Sequence, residues 1–220
     1  FDPIWISCIR AIPVAVVSWL LCGWRAFHGN PVWPRGRVLA VLLLAGVGVQ
    51  FGGNCALQWA LGVIGLAMTV PLMYGAMIGG GAVIGWIVLG ETMSLRSWIA
   101  VVVLMVAIGL ISSGSRDLPD SAGGAGVARL ALGVAAACLS GISYAGMNVI
   151  IRRFVTQNIS VAATLLVIGS TGVVVLGLTS FWRIGWQRMG SLDRETAIAM
   201  LIAGVFNAIA FYAIASGLRL

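Results

Sequence analysis

Seven long apolar stretches dominate this chain of 220 residues, and nearly all of its charged residues lie between them. Each stretch is close to the ~20 residues that a helix needs to cross the bilayer core. Membrane strands are only ~10 residues long and alternate strictly, which these stretches do not. Because backbone groups in hydrocarbon must be hydrogen-bonded within the segment, the sequence predicts an all-α, polytopic transmembrane helix bundle. The predicted spans are Ile4–Trp24, Val38–Leu61, Leu66–Leu89, Leu95–Ser112, Val127–Ile151, Val161–Trp182 and Thr196–Leu218.

Charged residues make up only 9% of the chain, whereas a soluble domain carries about 25%. The net charge of +7 comes from arginines placed singly or in pairs at the ends of the spans, without a basic face. This pattern favours anchoring at the membrane edge over nucleic-acid binding. The cysteines lie inside apolar stretches and form no CxxC pair, so we expect small core residues at Cys8, Cys22, Cys55 and Cys138.

Seven crossings would place successive loops on alternate sides of the membrane. One side then collects one arginine more than the other, and the positive-inside rule favours that side as cytoplasmic. The richer side carries Arg25, Arg35, Arg37, Arg96, Arg152, Arg153 and Arg219, and the other carries Arg10, Arg116, Arg129, Arg183, Arg188 and Arg194.

A Gly- and Ser-rich linker separates four spans from three, and the two sides look related. Leu44–Val47 (LAGV) resembles Ile202–Val205 (IAGV), and a similar dipeptide follows each about fifteen residues later. Transporters are often built from two such repeats, with the substrate site between them. Aligning the repeats leaves one helix missing before Phe1 and two after Leu220, so we expect a ten-helix parent protein. The predicted division is 1–113 for a first repeat without its first helix, 114–126 for the linker, and 127–220 for a second repeat without its last two helices.

Several motifs occur in a recognisable order: Ala60-Leu61, then Pro71, then LGETMSLRSWI from Leu89, with Ser143-Tyr144-Ala145 and Arg152-Arg153 further on. Together they resemble the EamA-type repeat of the drug/metabolite transporter superfamily. The resemblance implies two inverted five-helix repeats that move small metabolites by alternating access. The chain would then cover the second to eighth helices of such a transporter.

The turn after the third span has a predicted structural role. Gly90 is expected to form a left-handed cap, and Ser94 an N-cap. Glu91 is expected to bond the next helix's first amides or to pair with Arg96, with gating as the alternative. Pro71 should free a carbonyl and kink its helix, either as a tolerated residue or as a flexing point during transport.

Polar residues inside membrane helices are costly and indicate functional sites. Spacings of four place Gln50, Asn54 and Gln58 on one helix face, and likewise Ser140, Tyr144 and Asn148. Interhelical hydrogen bonds are one interpretation; the other is a shared polar cavity with aromatic and Met walls, suited to a small uncharged or zwitterionic solute. The predicted substrate-binding residues are Gln50, Asn54, Gln58, Trp59, Met73, Tyr74, Tyr144, Asn148, Asn207 and Phe211, with Pro71, Gly90, Glu91 and Arg10 as structural or gating residues.

Arg10 is the only charge well inside a span, either snorkelling to the interface or acting as a counter-ion to an anionic group. Two rival classes remain. An intramembrane enzyme would need a base for Ser140, but the only histidine is His28, in a loop. A channel would show a charged ring or a filter-like loop. We therefore predict a non-enzymatic transporter of an amino acid-like or drug-like solute, without cofactor or metal, in contact with membrane lipid and not with nucleic acid. The resemblance implies efflux across a bacterial-type cytoplasmic membrane.

Overall fold

A computed structural model describes residues 2–29, 33, 34, 36–90, 95, 98, 99, 102, 103, 106, 124–156, 159–189 and 194–217. Throughout these residues the fold is all-α. Five of the described helical segments are long and apolar enough to cross a membrane. The elements are α1 (Pro3–Phe27), α2 (Arg37–Gly48), a π-helical segment (Val49–Cys55), α3 (Ala56–Leu89), α4 (Gly124–Thr156), α5 (Val161–Met189) and α6 (Arg194–Gly217).

Local sequence explains how α1 begins. The Asp2 carboxylate accepts a hydrogen bond from the Ile4 amide at 2.8 Å, as a capping residue does. Pro3 occupies the first turn, where its missing N–H costs nothing. The helix ends at Phe27, and Gly29 follows with a positive φ of 74°.

The described chain packs as two compact units. Unit 1 comprises Phe1–Gln50 and Ile150–Leu220, and unit 2 comprises Phe51–Val149. The boundaries between these units lie after Gln50 and after Val149, not at the predicted linker 114–126. The two predicted repeats are a relationship between sequences, which the packing does not test, so they stay a prediction.

Unit 1 is organised around α5, which contacts α1 and α2, while α6 packs mainly on α1. Residues Val161–Gly169 of α5 are all buried. Cys22 packs against Ala162 and Ala163, and Cys8 lies against Val173, so α1 runs antiparallel to α5. Close contact of Gly169 with the Ala15 backbone brings these two helices together.

Unit 2 is built on a reversal of the chain at Gly65. Before it, Asn54 bonds to Tyr144 and Val63 lies beside Gly133, so the chain runs antiparallel to α4. After it, Gly141 packs on the α3 backbone at Met73 and Met77, so the chain runs parallel to α4. Gly65 has φ 73° and ψ 172°, a conformation essentially reserved for glycine. Its carbonyl accepts a hydrogen bond from the Thr69 hydroxyl at 2.6 Å.

The reversal falls between the second and third predicted spans, which end at Leu61 and begin at Leu66. Gly65 is the non-helical residue within α3, whereas Pro71 lies six residues later in helical backbone. Gly90 ends α3 with φ 67° and ψ 20°, the left-handed cap that the sequence predicts. Its amide bonds to the Trp86 carbonyl at 3.1 Å.

The predicted fourth span, Leu95–Ser112, lies largely outside the described residues. Those that are described within it are helical and expose apolar side chains. They are Leu95, Trp98, Ile99, Val102, Val103 and Val106.

Candidate functional site

A π-helical segment interrupts the Arg37–Leu89 helix at Val49–Cys55. The sequence predicts an unbroken α-helix here. Residues spaced by four share a face both in an α-helix and in a π-helix, so the polar spacing does not reveal the change. π-helical turns are rare and occur frequently at functional sites. Two of the predicted substrate-binding residues, Gln50 and Asn54, lie within this segment.

Asn54 and Tyr144 join two helices of unit 2, each part of a candidate membrane span. The Tyr144 hydroxyl donates a short hydrogen bond to Oδ1 of Asn54, and both side chains are half-buried. Tyr144 is near the middle of the span Ala128–Val155. The sequence predicts these two residues in one site, and the structure brings them together.

More polar groups lie beside this bond. Ser143 Oγ lies against Gly52, where any side chain would collide with it. One turn before Tyr144, Ser140 is fully buried, and its Oγ has no hydrogen-bond partner among the described residues. Asn148 is one turn after Tyr144 and half-buried. A polar stripe therefore runs along α4 through Ser140, Tyr144 and Asn148. Ser140 is its most buried member.

Glycine brings α4 against α3 next to the polar stripe. A Cβ at Gly141 would overlap the Met73 carbonyl and lie 2.8 Å from the Met77 amide. One turn later, a Cβ added at Gly80 would lie 3.6 Å from the Cβ of Ala145. Met73 is consequently buried at this contact.

The remaining predicted residues of unit 2 differ in exposure. Gln58 is half-buried. Trp59 is 40% exposed and Tyr74 is 49% exposed. Glu91, Ser94 and Arg96 of the predicted turn lie outside the described residues, so their roles stay predictions.

Four predicted residues lie in unit 1. Gln50 is buried, with its side-chain amide against Gly172 of α5. Asn207 and Phe211 on α6 are half-buried. Arg10 is half-buried, and its Nε makes no hydrogen bond to any residue that the structure describes. Its backbone carbonyl faces Gly204.

Sequence reasoning missed two features, which lie in different parts of the chain. One is the π-helical segment, for which the pair Gly52-Gly53 inside an apolar span was a usable signal. The other is a hydrogen bond of 3.0 Å from the Tyr212 hydroxyl to Ser18 Oγ, which joins α6 to α1. Ser18 also donates to the Val14 carbonyl at 2.7 Å, so one buried hydroxyl serves both helices.

Among the described residues, no three His, Cys, Asp or Glu side chains come close enough to hold a metal ion. The chain matches no protein-family model and no curated protein sequence.

Proposed function

We propose that the chain acts as a membrane transporter that moves a small metabolite by alternating access, with efflux as the direction. The observation that carries the proposal is the polar cluster of unit 2. Tyr144 and Ser140 lie near the middle of the apolar span Ala128–Val155, and Asn54 bonds to Tyr144 from an interrupted helix. Substrate sites of many transporters are formed near the bilayer midplane by such discontinuous helices.

The length of the Arg37–Leu89 segment supports a seven-span arrangement. Its 53 residues would extend about 80 Å as one straight helix, more than twice the ~30 Å hydrocarbon core. The reversal at Gly65 divides it into two antiparallel crossings. The predicted span Leu95–Ser112 adds a third crossing. The four other candidate spans bring the proposed number to seven.

The cluster has the chemistry to bind an uncharged or zwitterionic solute. Amide and hydroxyl groups offer donors and acceptors without a fixed charge. Ser140 Oγ is fully buried without a partner in the described part of the chain, and such a group gains from bonding a polar solute. We propose amino acid-like or drug-like solutes on this basis, and the resemblance to the EamA-type repeat points the same way.

The contacts around the cluster suit a helix that moves. Small residues at Gly141, Gly80 and Ala145 let α3 and α4 lie close without interlocking side chains. The π-helical segment and Gly65 are two places where backbone geometry departs from the α-helix. We propose that α3 shifts along α4 when the site changes its access.

The test is transport by the full chain and its variants Asn54→Leu and Tyr144→Phe. Cells that express each protein are loaded with a panel of labelled amino acids and antimicrobial compounds, and efflux is followed over time. Both variants should lose at least about tenfold in transport rate, because each removes a hydrogen-bonding group of the site. Membrane abundance should stay equal to that of the unchanged protein.

Thr179→Val is the matched control, because it also removes one hydroxyl from a span. Thr179 donates to the carbonyl of Val175 in its own helix, away from the cluster. Its transport should equal that of the unchanged chain. Equal transport by all four proteins would refute the site, and flux without saturation or counterflow would indicate a channel instead.

A further inference from the structure

One end of unit 1 concentrates positive charge. The C-terminal end of α1 lies beside the N-terminal end of α5, since Cys22 packs on Ala162 and Ala163. The start of α2 lies at this end too, because α2 runs parallel to α5 from the level of Leu166 to that of Gly172. The end therefore carries Arg25, Arg37, Arg152 and Arg153.

The acidic residues that the structure describes lie at the opposite end. Asp2 pairs there with Arg183, with 3.6 Å between Oδ2 and Nε. Glu195 begins α6, which runs parallel to α1. The acids that the structure describes therefore lie away from the arginine-rich end, and this end coincides with the side that the positive-inside rule assigns to the cytoplasm.

Two buried polar atoms at the arginine-rich end have no described partner. Ser160, directly before the first residue of α5, is 7% exposed, and its Oγ makes no hydrogen bond within the described ranges. The Nε of Arg25 is likewise buried and unbonded there. Cys22 contacts Ala162, and Arg25 is one turn further along antiparallel α1, so Arg25 and Ser160 are at the same level. The N-terminal amides of α5 add partial positive charge, which suits an anion.

An apolar groove of about 310 Å³ leads away from this end. Leu166 links the two, since it contacts Cys22 and also lines the groove. Trp19 and Trp33 form one wall, edge to face with ring centroids 6.1 Å apart. The groove continues along α5 to Val175.

The two hydroxyl groups in the groove lining both take part in hydrogen bonds. The Ser170 hydroxyl accepts from Trp19 Nε1 at 3.1 Å, and the Thr171 hydroxyl donates to the Val167 carbonyl at 2.7 Å. On α5 the groove lining runs from Leu166 to Val175, which is nine residues or about 14 Å along the helix. The groove therefore spans roughly the depth of one leaflet, whose hydrocarbon is about 15 Å thick. Its chemistry and depth match an acyl chain.

We propose that unit 1 binds an anionic phospholipid. The phosphate bonds to Arg25, Ser160 and the N-terminal amides of α5, and one acyl chain fills the groove between Trp19 and Val174. Basic pockets between helices on the cytoplasmic side are the type of site that holds anionic headgroups. This inference requires membrane embedding and does not depend on the transport proposal.

The test is lipid binding by the purified, delipidated full chain, followed by native mass spectrometry. The probes are dioleoyl phosphatidylglycerol and dioleoyl phosphatidylcholine, which share acyl chains and differ in headgroup charge. The anionic lipid should bind about tenfold more tightly, the effect of one charge-assisted hydrogen bond. Equal affinity for the two lipids would overturn the proposal.

Two variants test the two halves of the site. Arg25→Gln should reduce the affinity for phosphatidylglycerol to that for phosphatidylcholine. Arg129→Gln, the same change at an exposed arginine of α4, should not.

Val174→Trp should block the groove and weaken the binding of both lipids at least about tenfold, as expected for loss of a buried chain. Val205→Trp, on the exposed face of α6, is its control.

Two further outcomes would contradict the proposal. Complete competition by inorganic phosphate would indicate a site for a free anion, and full lipid binding by Val174→Trp would place the chain elsewhere. If Val174→Trp does not fold, a dibrominated phosphatidylglycerol tests the groove directly. It should quench the fluorescence of the unchanged protein more than that of Trp19→Phe, and equal quenching would refute the placement.

Discussion

The threonine hydroxyls of α5 in unit 1 and the polar stripe of α4 in unit 2 are satisfied in different ways. On α5, Thr171 and Thr179 donate to carbonyls of their own helix. On α4, Tyr144 donates to Asn54 on another helix, and the buried Ser140 Oγ has no described partner. The two threonines are satisfied by their own helix. The stripe of α4 keeps hydrogen-bonding capacity at Ser140, which is why unit 2 holds the proposed solute site.

The largest loss of stability is expected at Gly141 in unit 2, where the neighbouring helix leaves no space for a side chain. Gly141→Ala would drive a Cβ into the backbone of α3 at Met73 and Met77. Because backbone atoms cannot rotate away, we expect a loss of about 3 kcal/mol in the free energy of unfolding. Unfolding in mixed micelles of increasing denaturing detergent measures it.

Gly177→Ala in unit 1 is the comparison, because its Cβ would meet only Cys8 Sγ at an ordinary 3.7 Å. It should change stability by less than about 0.5 kcal/mol or raise it, since alanine favours helix. Equal losses for both variants would show that glycine packing does not distinguish the two units.

The next effect tests the reversal at Gly65. Gly65→Ala meets no atom within 4 Å, but it forces alanine to φ 73°, at a cost of about 2 kcal/mol. Gly62→Ala, three residues earlier, also has free space but lies in helical backbone. It should be neutral or stabilising by up to ~1 kcal/mol. Thermal unfolding of both proteins measures the difference, and a harmless Gly65→Ala would argue against the reversal.

The smallest effect compares two fully buried serines. Ser18→Ala removes a hydroxyl that donates to Val14 and accepts from Tyr212, so we expect a loss of about 1 kcal/mol. Ser140→Ala removes a hydroxyl of unit 2 that has no partner among the described residues, so the variant's stability should be unchanged or slightly higher. Transport should nevertheless fall if Ser140 meets the solute. A loss of stability in Ser140→Ala alone would mean that the serine is structural.

The fold was predictable where hydropathy decides it. Four of the five candidate spans match predicted apolar stretches, and the predicted gap between Leu61 and Leu66 contains the reversal at Gly65. Hydropathy alone cannot show which helices touch. Contacts such as Gly141 on Met73 depend on the shape of small residues, which the apolar pattern does not encode.

The candidate site was predictable in part. Polar residues stand out against an apolar background, so Asn54 and Tyr144 were identified and do bond to each other. Gln50 has the same four-residue spacing, yet it packs with Gly172 in unit 1. A spacing of four places residues on one face, but it does not say which neighbour that face meets.

The contact between Cys8 and Val173 has a consequence for biogenesis, because 165 residues separate its two ends. At ~5–20 residues per second, roughly 10–30 s pass between synthesis of α1 and synthesis of its partner α5. During that time the side of α1 that packs on α5 has no α5 to contact. Slower translation of the chain between α1 and α5 lengthens this interval. The yield of folded protein should therefore decrease as the elongation rate decreases.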